Sequence, residues 1–279
     1  MTRPLCLFHL SDVHFGLEDA RALEWVKAEI AARRPDAVAI TGDITMRARP
    51  HEFAAAERWI HSLDVPVTVE PGNHDLPGYH LPSRYLNPLG RFRAFREVVE
   101  RRIELARPGI SGIALVPLNS NVPAQPRFNW SKGWISGRAL ADCLAQIDAL
   151  PAGMRALVTV HHPLREAGTH GTALTRGGAA ALAALAQRKV VGVLSGHVHD
   201  AFDLMEPTPH GPVRMIGAGT LSRRLRTTPA SFNELAWDGA QLTVTVRNLA
   251  GLDSAAMQIG EVPADAEPPG AARGDASSA

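Results

Sequence analysis

Short runs of apolar residues alternate along the chain with segments in which apolar residues recur every three or four positions. The runs predict strands over 5–10, 37–41 and 65–69 in the first half, and over 113–118, 157–160 and 190–194 in the second. The intervening segments predict amphipathic helices after residue 17 and over 52–63, 91–102, 138–150 and 178–188. This alternation is typical of layered α/β proteins.

The last part of the folded region has a different pattern. Shorter strands are predicted over 202–205 and 213–216, followed by a hairpin in which Asp238-Gly239 joins 234–237 to 242–246. We expect these strands to form the second sheet of a two-sheet sandwich.

Three segments do not follow the alternation, namely 76–88, 120–136 and 163–177. Loops of this length inside a compact domain are usually functional or disordered. The tail is rich in Pro, Ala, Gly, Asp and Ser, which are residues that cannot bury a core. We therefore predict one domain over 1–250 and a mostly disordered extension over 251–279.

The charge balance excludes some classes of partner. The net charge is +1 with His neutral, and no basic stripe is present, so we expect no nucleic acid partner. No run approaches the roughly 20 apolar residues of a membrane-spanning helix. The N-terminal segment has no signal-peptide pattern, which makes a cytoplasmic location the default expectation.

Polar residues with metal-binding side chains follow five of the predicted strands. They are Asp12 and His14, Asp43, Asn73-His74-Asp75, His161-His162, and His197 and His199. In open α/β sheets the binding crevice lies at such strand ends. Imidazoles, carboxylates and one amide suit Mn, Fe, Zn or Co, and they argue against Mg or Ca alone.

These segments resemble, in order, the signature of the calcineurin-like metallophosphoesterases, which reads D-x-H, G-D, G-N-H-D, H and G-H-x-H. All five blocks are present between residues 12 and 199 with no departure at a ligand position. The resemblance implies a four-layer α/β/β/α sandwich and two metal ions held at one end of the sheets.

The resemblance also implies a role for each residue. Asp12, His14 and His199 would hold one metal ion, Asn73, His161 and His197 the other, and Asp43 would bridge them. A metal-activated hydroxide would attack the phosphorus atom. His74 would stabilise the phosphoryl group or protonate the leaving alkoxide, and Asp75 would orient its imidazole.

Some assignments stay open at this stage. His161 is preferred to His162 as the ligand because it directly follows the strand, which leaves His162 to contact substrate beside Asn73 and His74. Arg47 could bind an oxyanion, although a solvated loop charge is an equal reading. Trp130 and Trp134 could stack on a base or cap a core edge.

Within the family, the opening strand, the His-His-Pro segment and the length most resemble bacterial class III cyclic-nucleotide phosphodiesterases. The expected substrate is a small phosphodiester such as a 3′,5′-cyclic nucleotide. Alternatives are a broad-specificity phosphomonoesterase, a nuclease, a lipid-linked pyrophosphatase and a non-enzymatic metal-binding scaffold. The segment 231–248 could complete a sheet or offer an edge to a second copy in a homodimer.

Overall fold

The computed structural model describes residues 3–78, 80–127, 129–226, 228–250 and 254–255. The first half forms Leu5–Leu10 (β1), Ala20–Arg33 (α1), Ala37–Ile40 (β2), Pro50–His61 (α2), Val67–Val69 (β3), a 3-10 turn at Asn73–Asp75, Leu81–Leu86 (α3), Gly90–Val99 (α4), Glu104–Arg107 (β4) and Ile110–Pro117 (β5). The second half forms Gly137–Asp148 (α5), Met154–Thr159 (β6), Gly178–Gln187 (α6), Gly192–Ser195 (β7), Phe202–Glu206 (β8), Val213–Gly217 (β9), Ser231–Trp237 (β10), Leu242–Asn248 (β11) and Ser254–Ala255 (β12). Over these residues, each helix is too short or too polar to cross a bilayer.

The strands form two six-stranded mixed sheets, in the orders β12-β11-β10-β1-β2-β3 and β4-β5-β6-β7-β9-β8. β1, β2 and β3 are parallel, and so are β5, β6, β7 and β9. The remaining pairs are antiparallel. The carboxyl ends of the parallel strands in each sheet therefore lie at one edge of that sheet.

Alternating side chains of the strands bury both faces of each sheet. Leu5 and Leu7 of β1 pack with Leu157 of β6 in a cluster that joins the two sheets. Phe8, one residue further along β1, points to the opposite face and packs in the cluster that contains α1, α2 and α4. A third cluster joins α5 and α6 to the second sheet. These three interfaces confirm the four-layer α/β/β/α sandwich.

The predicted position of the hairpin is wrong. β10 and β11 do pair as a hairpin, but β10 lies antiparallel to β1 in the first sheet, with Leu5 opposite Trp237. Trp237 faces the second sheet, whereas Phe232 packs among the helices on the other side. Because both faces of β10 are buried, a place inside a sheet satisfies its apolar side chains.

Three other details differ from the sequence pattern. The segment 76–88 contains the short helix α3, β4 was not predicted, and α4 ends at Val99 because the backbone N–H of Arg101 donates to the carbonyl of Val67. The predicted disordered extension 251–279 falls outside the described residues, except for 254–255, which pair with β11. That prediction and the 1–250 boundary stay predictions.

Candidate metal centre

The structure brings together all seven side chains that the sequence suggests as metal ligands. They follow β1, β2 and β3 of the first sheet and β6 and β7 of the second, and they are Asp12, His14, Asp43, Asn73, His161, His197 and His199. Since the strands of each sheet end at one edge, five loops that are distant in sequence meet there.

The first group of donors consists of Asp12, His14 and His199. Nε2 of His199 lies 3.1 Å from Oδ1 of Asp12, and Nε2 of His14 lies 3.6 Å from the same oxygen. Nδ1–H of His199 donates to the carbonyl of Arg224 at 2.9 Å, so its Nε2 keeps a free lone pair. These three donor atoms face one point.

The second group consists of Asn73, His161 and His197. Nε2 of His161 lies 3.3 Å from Oδ1 of Asn73, and the rings of His161 and His197 have centroids 5.2 Å apart. Nδ1–H of His161 donates to the carbonyl of Thr41 at 2.8 Å. A carbonyl partner on one ring nitrogen fixes the tautomer and leaves the other nitrogen free to bind a metal.

Asp43 lies between the two groups. Its Oδ2 is 3.8 Å from Nε2 of His14 and 3.4 Å from Nε2 of His161. Its Oδ1 accepts the backbone N–H of His74 at 2.8 Å, which fixes the carboxylate plane. Oδ2 is therefore the donor that both groups share.

The hydrogen bonds of His162 distinguish it from His161. Nε2–H of His162 donates to the carbonyl of Ser131 at 2.9 Å, and Nδ1 accepts from the hydroxyl of Ser120 at 2.7 Å. The ring lies close to His161 and His197, but both of its nitrogens are engaged. His162 therefore anchors the segment that contains Ser131 to the end of β6, while Nε2 of His161 points at the other donor atoms of the centre.

The backbone is strained at five of the seven positions. Asp12, His14, Asp43, His197 and His199 have φ between 51° and 70°, the left-handed region that such residues seldom adopt. Strain of this kind costs about 1–3 kcal/mol per residue and is concentrated at functional sites. The loops are thus shaped to direct these side chains inward at a cost to stability.

Electrostatics keep the two carboxylates ionised despite their burial. Burial favours the neutral acid, but His199 and His14 hold the pKa of Asp12 well below its ordinary value. His161 and His74 act in the same way on the pKa of Asp43. Burial lowers the pKa of His197 to about 3, with a contribution from His161, so this imidazole is a neutral donor.

The donor set fits two divalent cations. Oδ1 of Asp12, the oxygen that His14 and His199 face, is buried and has no hydrogen-bond partner, and such orphaned atoms are rare in the absence of an ion. Imidazoles, two carboxylates and an amide oxygen form the hard and borderline ligand mixture that first-row metals bind.

Asp75 does not orient His74, contrary to the sequence-based expectation. Its carboxylate accepts backbone N–H groups of Ile44, Thr45 and Gly72, which tie the loops after β2 and β3 together. Burial and the charge of Asp43 raise the pKa of Asp75 to about 6. The His74 ring is instead fixed by Nδ1–H, which donates to the carbonyl of Met46 at 2.8 Å.

Two cavities open beside the donor groups and share Asn73, His74 and Ser131. A polar cavity of about 260 Å³ is further lined by Asp43, Lys132, His170, Gly171, Thr172, His197, His199, Arg224 and Arg226. A second cavity, of about 400 Å³, is further lined by Met46, Arg47, Leu76, Gly78, Arg84 and Trp130. A larger cavity of about 780 Å³ lies between α4 and α5, and none of the seven donors lines it.

The sequence reasoning missed three cations of the polar cavity, namely Lys132, Arg224 and Arg226. Nη1 of Arg224 lies 3.1 Å from Nε2 of His74 and 3.3 Å from Nε2 of His14. A signal existed for the arginines, because the Arg-rich segment 223–226 lies in the loop that follows the predicted strand 213–216. Arg47 and Trp130 were named as candidates, and both line the second cavity. Trp134 lies under the guanidinium of Arg176 instead.

Replacing Gly72 by alanine is expected to lower the activity of the centre roughly 100-fold, the loss that a misplacement of about 1 Å can cause. An added Cβ would lie 2.1 Å from Oδ1 of Asp43 and 2.2 Å from its backbone nitrogen, so the shared carboxylate must move. Steady-state kcat/KM on a chromogenic diester checks this. The control Gly137→Ala, whose added Cβ meets nothing within 4 Å, should change the rate by less than about twofold. Equal rates for the two variants would contradict this placement of Asp43.

Comparisons with known proteins are consistent with this geometry. Residues 7–201 match the family model described as calcineurin-like phosphoesterase. The chain is 32% identical over 96 residues to the glycerophosphodiester phosphodiesterase GpdQ of Enterobacter lignolyticus, covering 30% of this chain and 34% of that protein. It is 25% identical over 211 residues to a probable cyclic nucleotide phosphodiesterase of a Pseudoalteromonas species, covering 71% and 72%. The match thus spans only about a third of the length of GpdQ.

The fold is similar to that of a dimetal phosphatase from Danio rerio, with a TM-score of 0.60 and 16% identity. That alignment covers 91% of this chain and 98% of the other. At this level of identity the likeness concerns the fold.

Proposed function

The chain belongs to the calcineurin-like phosphoesterase family, and from this premise we propose that it hydrolyses small phosphodiesters at the centre described above. The observation that carries the proposal is the pair of donor groups that share Oδ2 of Asp43. The family is dimetal-dependent, and a carboxylate oxygen placed between two groups of donors could bind both cations of a two-metal site.

The ligand assignment follows the hydrogen-bond accounting. Asp12, His14 and His199 would hold one cation, Asn73, His161 and His197 the other, and Asp43 both. His161 is favoured over His162 because Nε2 of His161 faces the donor oxygens of Asn73 and Asp43, whereas both ring nitrogens of His162 bond groups outside the donor set. The donor chemistry favours Mn, Fe, Zn or Co.

The bound cations would supply Lewis-acid stabilisation of the phosphoryl oxygens and would lower the pKa of an attacking water. Within the chain, Arg224 is placed to donate to a phosphoryl oxygen, because its guanidinium already lies between His14 and His74. Charge-assisted donors of this kind stabilise the negative charge that grows in the transition state.

His74 faces the same point through Nε2. Its other nitrogen carries the hydrogen bonded to Met46, so Nε2 is the atom that could deliver a proton to a leaving alkoxide. Nε2 now accepts from Arg224, so the arginine must turn toward the phosphoryl group before Nε2 can act. Because Nδ1 carries the hydrogen that is bonded to Met46, Nε2 can act as an acid only if it carries a hydrogen as well. The proposal therefore includes uptake of a proton at Nε2 when substrate binds.

A diester is favoured because two cavities diverge from the shared residues Asn73, His74 and Ser131. Each could hold one substituent of the phosphorus atom, whereas a monoester would fill one. Two relatives carry the names of phosphodiesterases, which agrees with this choice. Cavities of 260 and 400 Å³ suit a small molecule.

The test compares bis-p-nitrophenyl phosphate with p-nitrophenyl phosphate in protein supplied with manganese. We expect the larger kcat/KM on the diester, followed by turnover of a member of a panel of 3′,5′- and 2′,3′-cyclic nucleotides and glycerophosphodiesters. A preference for the monoester would reassign the chain as a phosphatase. Two bound metals with no hydrolysis of any ester would indicate a scaffold, and preferential cleavage of single-stranded DNA a nuclease.

A further inference from the structure

The polar cavity carries more positive charge than one diester phosphate requires. Three of its lining residues are cationic, Lys132, Arg224 and Arg226, and among the described residues Asp43 is the only carboxylate that lines it. Asp43 is directed at the two donor groups and does not face these cations as an ion-pair partner. A phosphodiester contributes a single negative charge, so the remaining positive charge of the cavity could bind a second anionic group.

Arg224 and the other two cations occupy different places. Arg224 contacts the imidazoles of His14 and His74 and so lies at the reaction centre. Lys132 and Arg226 make no such contact. Nζ of Lys132 donates to the carbonyl and hydroxyl of Thr172, and Nε of Arg226 donates to the carbonyl of Val198 at 3.0 Å.

Lys132 and Arg226 are held in place without a neutralising carboxylate. Among the residues that the structure describes, the partners of the two cationic groups are carbonyl and hydroxyl oxygens, and no carboxylate lies within 4.0 Å of either group. Burial lowers the pKa of Lys132, the more distant Glu166 opposes this effect, and Arg127 and Arg226 lower the pKa further. Lys132 is half-buried and Arg226 is exposed, so an anion can reach both cations from the cavity and would relieve the repulsion between them.

The carboxylates near Lys132 and Arg226 already have other partners. Glu166 accepts the backbone N–H groups of Ala173 and Leu174, and Asp200 lies 3.7 Å from the ring of His170. The segment that carries Lys132 is held in place, because the carbonyl of the preceding residue, Ser131, accepts a hydrogen bond from the buried ring of His162. These contacts hold the two cationic groups beside the centre.

We propose that Lys132 and Arg226 bind a second anionic group of the substrate, a phosphate or carboxylate carried on the substituent that enters the polar cavity. This inference rests on the proposed function and narrows it, since a simple cyclic nucleotide has no second anion. Arg is suited to bidentate binding of either oxyanion, and the Lys ammonium adds a point charge.

The test uses a matched pair of p-nitrophenyl alkyl phosphate diesters whose alkyl chain ends in a carboxylate or in its methyl ester. A third diester that ends in a phosphate distinguishes the two anions. Wild-type protein with its metals should prefer a charged arm by about 10- to 100-fold in kcat/KM, because charge-assisted hydrogen bonds have that worth. Raising the salt concentration should reduce this preference.

In Lys132→Met and Arg226→Met the charged-to-ester ratio should fall toward one, and Lys132→Arg should retain most of it. Arg138→Met is the control with an intact ratio, because its side chain is 92% exposed on α5 and lies in a different cavity. Equal wild-type rates on the acid and its ester, or a preference that survives the Lys132→Met/Arg226→Met double variant, would overturn the inference.

A binding measurement separates this inference from the proposed function. Calorimetric titration of the same acid and ester into metal-loaded protein needs no turnover. If no diester is cleaved but the acid binds more tightly than the ester through Lys132, the function fails and the anion site stands. If diesters are cleaved without any preference for the acid, the function stands and the anion site fails.

Discussion

Asp43→Asn is expected to lower kcat/KM on bis-p-nitrophenyl phosphate by roughly 1,000-fold or more, since metal-ion stabilisation of a transition state is worth several kcal/mol. Oδ2 of Asp43 lies within 4 Å of Nε2 of both His14 and His161, and an amide in its place removes the negative charge that two cations would share. Elemental analysis after dialysis should find fewer than two metal ions per chain.

The same variant has a second signature in its stability. The wild-type Tm should rise on addition of manganese, because a ligand that binds only the folded state stabilises it. In Asp43→Asn this rise should shrink, and the metal-free Tm should fall, because His161 and His74 stabilise the ionised carboxylate in the folded protein. Asp142→Asn, whose side chain is 68% exposed on α5, is the matched control. Full metal content and activity in Asp43→Asn would be incompatible with a shared carboxylate.

His74→Ala is expected to retain both metals and to lose about 10²- to 10⁴-fold in rate on diesters with poor alkoxide leaving groups, the range of general acid catalysis. On p-nitrophenyl esters, whose leaving group needs no proton, the loss should be much smaller. Nδ1 of the ring is bound to Met46, so only Nε2 can act. The measurement is a plot of log kcat/KM against leaving-group pKa, which should be steeper for the variant than for the wild type.

His14, Asp43 and His74 lie close enough together to hold a metal ion. The metal content of His74→Ala therefore tests whether His74 is itself a ligand. Loss of a metal would make His74 a ligand. Equal rate losses on good and poor leaving groups would remove the acid role and leave electrostatic stabilisation. The exposed His51 supplies the control, His51→Ala, with both properties unchanged.

Residues next to strand ends could be predicted from the sequence because their placement is a local matter. The apolar run 5–10 is β1 at the same bounds, and a short polar turn then fixes where Asp12 and His14 can lie. The strands after which Asp43, Asn73 and His197 fall were predicted within two residues at the strand end. Because these strands pair in parallel within each sheet, the residues that follow them lie at one edge.

Other features depend on contacts between distant segments and were not predictable in this way. In the sequence, His161 and His162 are adjacent candidates for the same ligand position. The structure distinguishes them, because the ring of His162 is bonded to Ser120 and Ser131. Asp75 was assigned to His74 by adjacency, but its carboxylate meets backbone N–H groups about 30 residues away. Placement of β10 beside β1 is likewise a matter of pairing between the chain's two ends.

Anomalous diffraction from crystals of the metal-loaded protein tests the central claim most directly. We expect two peaks about 3.5–4 Å apart, the usual separation in two-metal sites. One peak should contact Asp12, His14 and His199, the other Asn73, His161 and His197, and Asp43 should contact both. A single peak, or a second peak bound through His162 in place of His161, would contradict the account.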